Sequence, residues 1–352
     1  MFLIKYKEYM ESNNRIQKQR VPYVDMAKGI LILMVMIGHM QNVCKELSVH
    51  DEVFATIDHL EWFWGPFFMP AFFVITGFCS NFNKPFKSFL ISNVKGILIP
   101  AFTLGILARW IGLLNVPDVS LHSFFSLGVK NFIINGGSFW FLAALFLSKL
   151  TFYVISKFLS NLKVVGIIVI ILHIVGFYMF ENSICRNYWY FQHSMMLTIY
   201  LYVGQRIKEC KILFDSKKLT LSLWGGYLIT VSIILILGYE SPHIAHNVTI
   251  TNITFIPHFI FSIWGAILIL VTAKQFKTIK VICYLGKNSL IYYCLHINLL
   301  FLIVILYGGM LGRSLLFSIF CWLMTIVSVV LLCTIASYVL NTKYINYILG
   351  KF

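Results

Sequence analysis

The most constraining feature of this sequence is a series of long apolar runs that follow one another along nearly the whole chain. A helix that crosses a bilayer needs about 20 largely apolar residues. About ten stretches approach that length, each bounded by charged residues, Pro, Asn or Gly: Val24–Val43, Phe63–Asn81, Phe89–Leu113, Phe139–Ile155, Val164–Phe180, Tyr188–Ile207, Leu219–Gly238, Ile253–Ala273, Tyr284–Tyr307 and Ser314–Leu340. Charged residues make up only 12% of the 352 residues, whereas soluble domains carry about 25%. We therefore predict an all-α, polytopic membrane helix bundle of about ten transmembrane helices.

The basic residues between the apolar runs predict the orientation of this bundle. They cluster in alternate loops: the N-terminal tail, Lys84 to Lys95, Lys157 to Lys163, Arg206 to Lys218, Lys274 to Lys280, and the C-terminal tail. Loops rich in Lys and Arg face the cytosol, so both termini are predicted to be cytosolic. The N-terminal stretch lacks the apolar core of a signal peptide, and we expect residues 1–22 and 342–352 to be cytosolic tails.

The connecting loops leave no room for a separate soluble domain. None exceeds roughly 25 residues, and domains usually begin near 50. Any chemistry must take place within the membrane bundle, over residues 23–341. The net charge of +15 lies in these short loop clusters and forms no basic face, so no nucleic-acid partner is expected. The eight cysteines are scattered and show no metal-ligand spacing, so no metal site is predicted.

The first apolar run contains ionisable residues on one side of a predicted helix. At 100° per residue, Lys28 and His39 differ by only about 20° in azimuth and lie roughly 16 Å apart along the axis. Asp25 lies about 40° to the other side of His39. Ionisable groups inside a span usually face a cavity or the bundle interior, which suggests a functional site. A snorkelling Asp25–Lys28 pair and a structural His39 would also fit the pattern.

Four stretches of the sequence, in order, form recognisable motifs: DMAKGILILMVMIGH from Asp25 to His39, FFMPAFFVITGF from Phe67 to Phe78, GGSFWFLAALF from Gly136 to Phe146, and LGKNSLIYYCLH from Leu285 to His296. They resemble motifs of acyltransferase family 3, the integral-membrane acyltransferases of bacterial surface glycans, in the fucose-4-O-acetylase-like branch. The resemblance covers nearly the whole chain and also implies ten spans. It implies a single transmembrane acyltransferase domain in a bacterial inner membrane.

The resemblance also implies an activity and a set of site residues. The family usually transfers acetyl from cytosolic acetyl-CoA to a sugar hydroxyl of a surface or lipid-linked polysaccharide, with a histidine at the position of His39 as the catalytic residue. Where the family usually has an arginine, this sequence has Lys28, whose ammonium group cannot bind phosphate or carboxylate in a bidentate manner. Phe68 stands where many relatives have a histidine. His59 and His296 are possible substitutes. Relatives often carry arginines that contact CoA phosphates in the third span, where only Lys95 remains.

Further residues are predicted to contact the substrate. These are Trp140, Asn288, Ser289 and His296, although Trp140 also suits a membrane-interface belt and His296 a structural hydrogen bond between helices. Lys28 and Lys95 are predicted to bind the acyl-CoA, which is a donor substrate rather than a permanently bound cofactor. Lys95 also suits an ordinary positive-inside residue.

The chemistry requires a base near neutral pH, and a neutral imidazole suits this role. We expect His39 to activate the acceptor hydroxyl, with Asp25 or a backbone carbonyl orienting the ring. Alternatively, His39 is acylated and relays the group. A function of a different class is a multi-span transporter or lipid-glycan flippase that uses the same polar residues as a proton relay or substrate path.

Overall fold

The structure, a computed structural model, describes residues 21–47, 63–113, 121–137, 139–184, 188–209, 216–237, 254–276, 278–308 and 315–351. Most of the predicted N-terminal tail and the candidate His59 lie outside these residues. All regular secondary structure within the described ranges is helical.

Thirteen α-helices form the described part of the bundle. They are α1 (Pro22–Glu46), α2 (Phe68–Cys79), α3 (Phe86–Asn93), α4 (Ile99–Leu113), α5 (Leu121–Asn135), α6 (Trp140–Phe158), α7 (Leu162–Glu181), α8 (Phe191–Glu209), α9 (Lys217–Ile236), α10 (Phe255–Gln275), α11 (Lys280–Lys287), α12 (Ser289–Gly308) and α13 (Leu315–Leu340). A π-helical segment, Val94–Leu98, joins α3 to α4, and a 3₁₀ turn, Asn346–Leu349, follows α13.

Eight helical stretches among the described residues are long and apolar enough to cross a membrane. The short apolar helix α2 and helix α8, which carries several polar residues, are not among these eight. Apolar side chains such as Phe158, Leu221 and Ile236 are more than 70% exposed on the outside of the bundle, which is expected where lipid is the solvent. The predicted fold class, an all-α polytopic membrane bundle, is confirmed. The count of ten spans stays a prediction.

Several helix boundaries differ from the sequence prediction. The third apolar run is interrupted by the π-helical segment, and the ninth is divided at Asn288 into α11 and α12. Helix α5 was not predicted at all. It is separated from α6 by Gly136 and Gly137, whose φ angles of +82° and +90° belong to a region that bulky residues rarely adopt.

Close backbone contacts hold the centre of the bundle together. A Cβ atom on Gly77 of α2 would overlap the backbone of Leu201 in α8, and one on Gly204 of α8 would overlap the Val74 carbonyl oxygen of α2. A Cβ atom on Gly286 of α11 would in the same way overlap the Asp25 carbonyl oxygen of α1. Small residues allow such approach, which drives helix association in a membrane where apolar burial does not.

Hydrogen bonds from buried polar side chains connect α8 to its other neighbours. The Ser148 hydroxyl of α6 donates to the Ser194 carbonyl at 2.8 Å, and His173 Nδ1 of α7 lies 2.6 Å from the Met196 carbonyl. Since a carbonyl oxygen only accepts, Nδ1 carries the proton in this bond. These bonds fix α6 and α7 against α8.

Candidate active site

His39 of α1 and His296 of α12 come together inside the bundle. Their ring centroids lie 5.2 Å apart and the ring planes are tilted by 49°. His39 is partly exposed, whereas His296 is 0% exposed. His39 is therefore the more accessible ring of the pair. The two residues are 257 positions apart in the chain, and the sequence gives no direct indication of their contact.

The backbone of α12 fixes the tautomer of His296. Its Nδ1 lies 3.0 Å from the Tyr292 carbonyl and 2.8 Å from the Tyr293 carbonyl. Because both partners only accept, Nδ1–H is the donor and Nε2 of the neutral ring holds a lone pair. This Nε2 is buried and has no hydrogen-bond partner among the described residues. His296 thus presents a hydrogen-bond acceptor in the region of His39.

Tyr293 connects the histidine pair to the first turn of α6. Its ring centroid lies 6.0 Å from that of His296 and 5.2 Å from that of Phe141, and it is hydrogen-bonded to the Phe141 backbone. Phe141 in turn packs edge-on against Phe73 of α2. All four motifs quoted above therefore meet at this site, since they supply His39, Phe73, Phe141 and His296.

A line of aromatic rings continues from Phe141 toward the end of the bundle where α6 and α8 begin. The Trp140 centroid lies 6.1 Å from that of Phe141 and 5.1 Å from that of His193 in α8. His193 in turn lies 5.8 Å from Tyr190. We call Trp140, Tyr190 and His193 the aromatic cluster. Of these residues, only Trp140 was predicted from the sequence to contact the substrate.

The segment that carries Tyr190 has an unusual backbone. Trp189 and Tyr190 have φ angles of +52° and +51°, a conformation that is unfavourable for bulky residues and tends to occur at functional sites. Trp189 Nε1 donates to the Ile133 carbonyl of α5 at 3.1 Å, which ties this segment to the helix before the glycine turn. The Tyr190 hydroxyl can both donate and accept a hydrogen bond.

Asp25 and Lys28 lie near the opposite end of α1 from His39. Because Pro22–Glu46 is one continuous helix, Asp25 is roughly 21 Å from His39 along the axis. That distance rules out a direct hydrogen bond between them. The predicted orientation of the His39 ring by Asp25 therefore has no geometric basis, whereas His296 lies beside the ring.

Lys28 belongs to a group of lysines whose proximity was not predicted from the sequence. Lys149, within α6, interacts electrostatically with Lys28, Lys84 and the Cys79 thiol. The Cys79 thiol also interacts with Lys208 and Asp25. We call Lys28, Lys84, Lys149 and Lys208 the lysine cluster. Lys149 was overlooked, although an isolated lysine in the apolar run FLAALFLSKLTFY is itself a signal.

The remaining predicted site residues lie at helix junctions. Asn288 is buried between α11 and α12, and its side chain bonds to the Tyr284 carbonyl and to Asn341. Ser289 is the first residue of α12. Lys95 lies in the π-helical segment, where Gly350 of the C-terminal segment packs against its backbone. The substrate roles of these residues stay predictions.

No group of three His, Cys, Asp or Glu side chains within the described ranges is arranged to hold a metal ion. The two histidines of the site lie side by side instead, one partly exposed and one buried. An imidazole base held next to a second ring that accepts a hydrogen bond is suited to proton transfer from a bound hydroxyl group.

The fold and the site together define a polytopic membrane protein with a pair of contacting histidines, one of them buried, and an aromatic cluster on one side of the pair. Residues 21–337 match the family model described as an acyltransferase domain. The chain therefore belongs to acyltransferase family 3 and is a membrane acyltransferase, which confirms the predicted family. The fucose-4-O-acetylase-like branch stays a prediction. Comparison with curated proteins and with solved structures found no significant match.

Proposed function

We propose that this protein transfers an acyl group, in the simplest case acetyl from acetyl-CoA, to a sugar hydroxyl of a surface or lipid-linked polysaccharide at the bacterial inner membrane. The observation that carries the proposal is the contact between the partly exposed His39 and the buried His296, whose ring centroids lie 5.2 Å apart. The family match supports the acyl transfer, and the aromatic cluster supports a sugar acceptor.

In the proposed reaction, His39 acts as the general base. Its neutral ring accepts the proton of the sugar hydroxyl while the hydroxyl oxygen attacks the thioester carbonyl carbon. The carbon–sulfur bond breaks, and the departing thiolate takes the proton back from the imidazolium of His39. The products are a sugar ester and free CoA. A base of this kind contributes about 10²- to 10⁴-fold to the rate.

His296 is a positioning residue in this mechanism. Its Nε2 can accept only when His39 donates an N–H toward it, and such a bond would leave the other His39 nitrogen unprotonated and ready to act as the base. Hydrogen bonds of this kind often tighten only when substrate is bound. His296 thus takes the role of orienting the His39 ring, which was predicted from the sequence for Asp25 or a backbone carbonyl.

The aromatic cluster is the proposed acceptor site. Aromatic rings offer flat apolar faces, and Tyr190 and His193 add polar atoms at their edges. The cluster lies where α6 and α8 begin, which is the extracytoplasmic side in the predicted orientation. The rings of Phe141 and Tyr293 connect it to His39, so a sugar bound at the cluster would lie next to the catalytic pair.

The test is transfer of radiolabel from acetyl-CoA into base-labile esters of a surface-glycan fraction, in membranes that contain wild-type protein or His39→Ala at matched levels. We expect ester label with wild-type membranes and its loss, by at least 10²-fold, in the variant. Wild-type membranes that transfer no label to any offered glycan, with CoA access shown independently, would contradict the proposal and favour the transporter alternative.

A further inference from the structure

Lys149 is a cation inside a membrane-crossing segment. It lies on α6 next to Ser148, a residue with 0% exposure that is bonded to α8, and it is itself partly buried. No carboxylate among the described residues forms a salt bridge or hydrogen bond with it. Lysine in a span is costly and is usually paired or marks a path for an ion or substrate. A bound anion would compensate this charge.

The surroundings of Lys149 add to the positive charge instead of neutralising it. Lys28 of α1 and Lys84 of the connection between α2 and α3 both interact electrostatically with Lys149. Lys208 of α8 donates to the Ser80 carbonyl at 3.5 Å. The preceding residue, Cys79, interacts electrostatically with Lys28, Lys149 and Lys208, and with one carboxylate, that of Asp25.

The close packing of α2 on α8 keeps this arrangement in place. Gly77 and Gly204 bring the two backbones into direct contact, two residues before Cys79 in α2 and about one turn before Lys208 in α8. Tyr153 of α6 donates to the Lys84 carbonyl at 2.8 Å, which fixes the connection after α2 against α6. Lys28 and Lys84 thus lie within electrostatic reach of Lys149, and Lys28, Lys149 and Lys208 lie within reach of Cys79. The ligand chemistry that complements such a group of ammonium groups is phosphate.

We propose that Lys149, together with Lys28, Lys84 and Lys208, binds the phosphate groups of the acyl-CoA donor. The inference rests on the proposed function, since that function supplies a donor with a diphosphate and a sugar phosphate. Lys28 lies roughly 16 Å from His39 along α1, a separation that the extended pantetheine arm between the phosphates and the thioester can bridge. The lysine cluster thereby compensates for the arginines that are missing from the third span.

The decisive experiment compares two donors with purified protein in neutral-lipid nanodiscs. Acetyl-CoA carries the phosphates, and S-acetylpantetheine carries the same thioester without them. For Lys149→Gln and for Lys208→Gln, we expect the KM for acetyl-CoA to rise at least 10-fold, with kcat/KM for S-acetylpantetheine unchanged. The matched control is Lys163→Gln, an exposed lysine at the start of α7 outside the cluster, which should leave both values at the wild-type level.

A binding measurement separates this inference from the proposed function. Adenosine 3′,5′-bisphosphate should bind wild-type protein and the control, with affinity that falls as salt rises, and should bind Lys149→Gln at least 10-fold more weakly. Equal effects of Lys149→Gln on both donors, or unchanged bisphosphate binding, would overturn the inference while leaving acyl transfer intact. Absence of transfer by wild-type protein would instead contradict the proposed function.

A phospholipid headgroup offers the same phosphate chemistry, and the nanodisc composition tests that source. If the cluster binds lipid, the Lys149→Gln effect should appear only in nanodiscs that contain phosphatidylglycerol and should vanish in phosphatidylcholine. That outcome would overturn the assignment to the donor. An effect of the same size in both lipids, confined to acetyl-CoA, is the result that we expect.

Discussion

At the scale of single residues, the site depends on the different burial of two histidines. His296 has a tautomer set by the α12 backbone and an Nε2 atom without a partner in the described residues, whereas His39 stays partly exposed. The exposed ring is suited to contact substrate, and the buried ring is suited to orient it. This division of roles leads to a kinetic difference that can be measured.

Substitution His296→Asn tests the positioning role. The Asn amide can still donate to the Tyr292 and Tyr293 carbonyls, but it places no acceptor where Nε2 was. We expect kcat to fall by about 10²-fold, the cost of a slightly misplaced catalytic group, with the KM for the acceptor unchanged. Steady-state kinetics at matched protein levels provide the measurement. A rise in acceptor KM at constant kcat would show that His296 binds substrate instead.

Trp140 provides a second test at the residue scale, because it lies between Phe141 and His193 in the line of rings. Trp140→Ala removes the largest flat surface of the aromatic cluster. We expect the acceptor KM to rise about 10-fold, which corresponds to ~1.4 kcal/mol, while the KM for acetyl-CoA stays constant. Trp110→Ala, at a site that is 43% exposed on α4, is the control. Equal effects of the two substitutions on acceptor KM would argue against a sugar site at Trp140.

The sequence predicted some of these residues and missed others for a physical reason. His39 and His296 belong to motifs, and Lys28 shares a helix face with His39, so local patterns identify them. Tyr293 and His193 join the site through ring contacts with residues on another helix, and nothing in their own segments distinguishes them from packing residues. The link between Lys149 and Lys28 likewise depends on tertiary packing.

At the scale of helices, direct backbone contact between α1 and α11 holds Asp25 and Lys28 in position. A methyl group on Gly286 would overlap the Asp25 carbonyl oxygen and lie 2.7 Å from the Gly29 nitrogen. Neither atom can move without shifting a whole helix, because both belong to the α1 backbone. The Gly-Lys-Asn-Ser motif therefore has a packing role beside any role in binding.

Substitution Gly286→Ala should separate the two helices and destabilise the protein. Overpacking typically costs about 1–3 kcal/mol, and we expect a lower unfolding midpoint in a denaturant titration of the detergent-solubilised protein. Gly225→Ala in α9 is the matched control because its added methyl group meets nothing within 4 Å. Alanine should stabilise that position by about 0.5–1 kcal/mol. A Gly286→Ala protein as stable as the control would contradict this packing role.

The helix boundaries predicted from composition agree with the structure where the chain faces lipid. They differ from it where tertiary contacts determine the helix ends. Helix α7, at Leu162–Glu181, lies within two residues of its predicted ends, because a long apolar run can form little else in a bilayer. The break at Asn288 and the π-helical segment at Lys95 depend on partners in the C-terminal segment, namely Asn341 and Gly350. Local sequence carries no information about contacts so distant in the chain.

At the scale of the whole molecule, the arrangement of α8 explains why this helix is not among the eight long apolar helices of the described residues. This helix packs between α2, α6 and α7, so its buried polar residues, Gln192, Ser194 and Thr198, face protein and not lipid. A helix enclosed by others needs no continuous apolar surface. Its low apolarity thus reflects its central position and is compatible with a membrane crossing.

The orientation of α8 is the clearest test of the predicted topology. If α8 crosses the membrane, residues on its two sides must face opposite compartments, with the lysine-rich side in the cytosol. Alkaline phosphatase inserted after Asn182 should be active, and a green fluorescent protein inserted after Ser216 should fluoresce. An insertion after Asn83 serves as the cytosolic control. Both reporters on the same side would show that α8 does not cross the membrane. The aromatic cluster and the lysine cluster would then not face opposite compartments, as the proposed sites for the sugar and for acyl-CoA require.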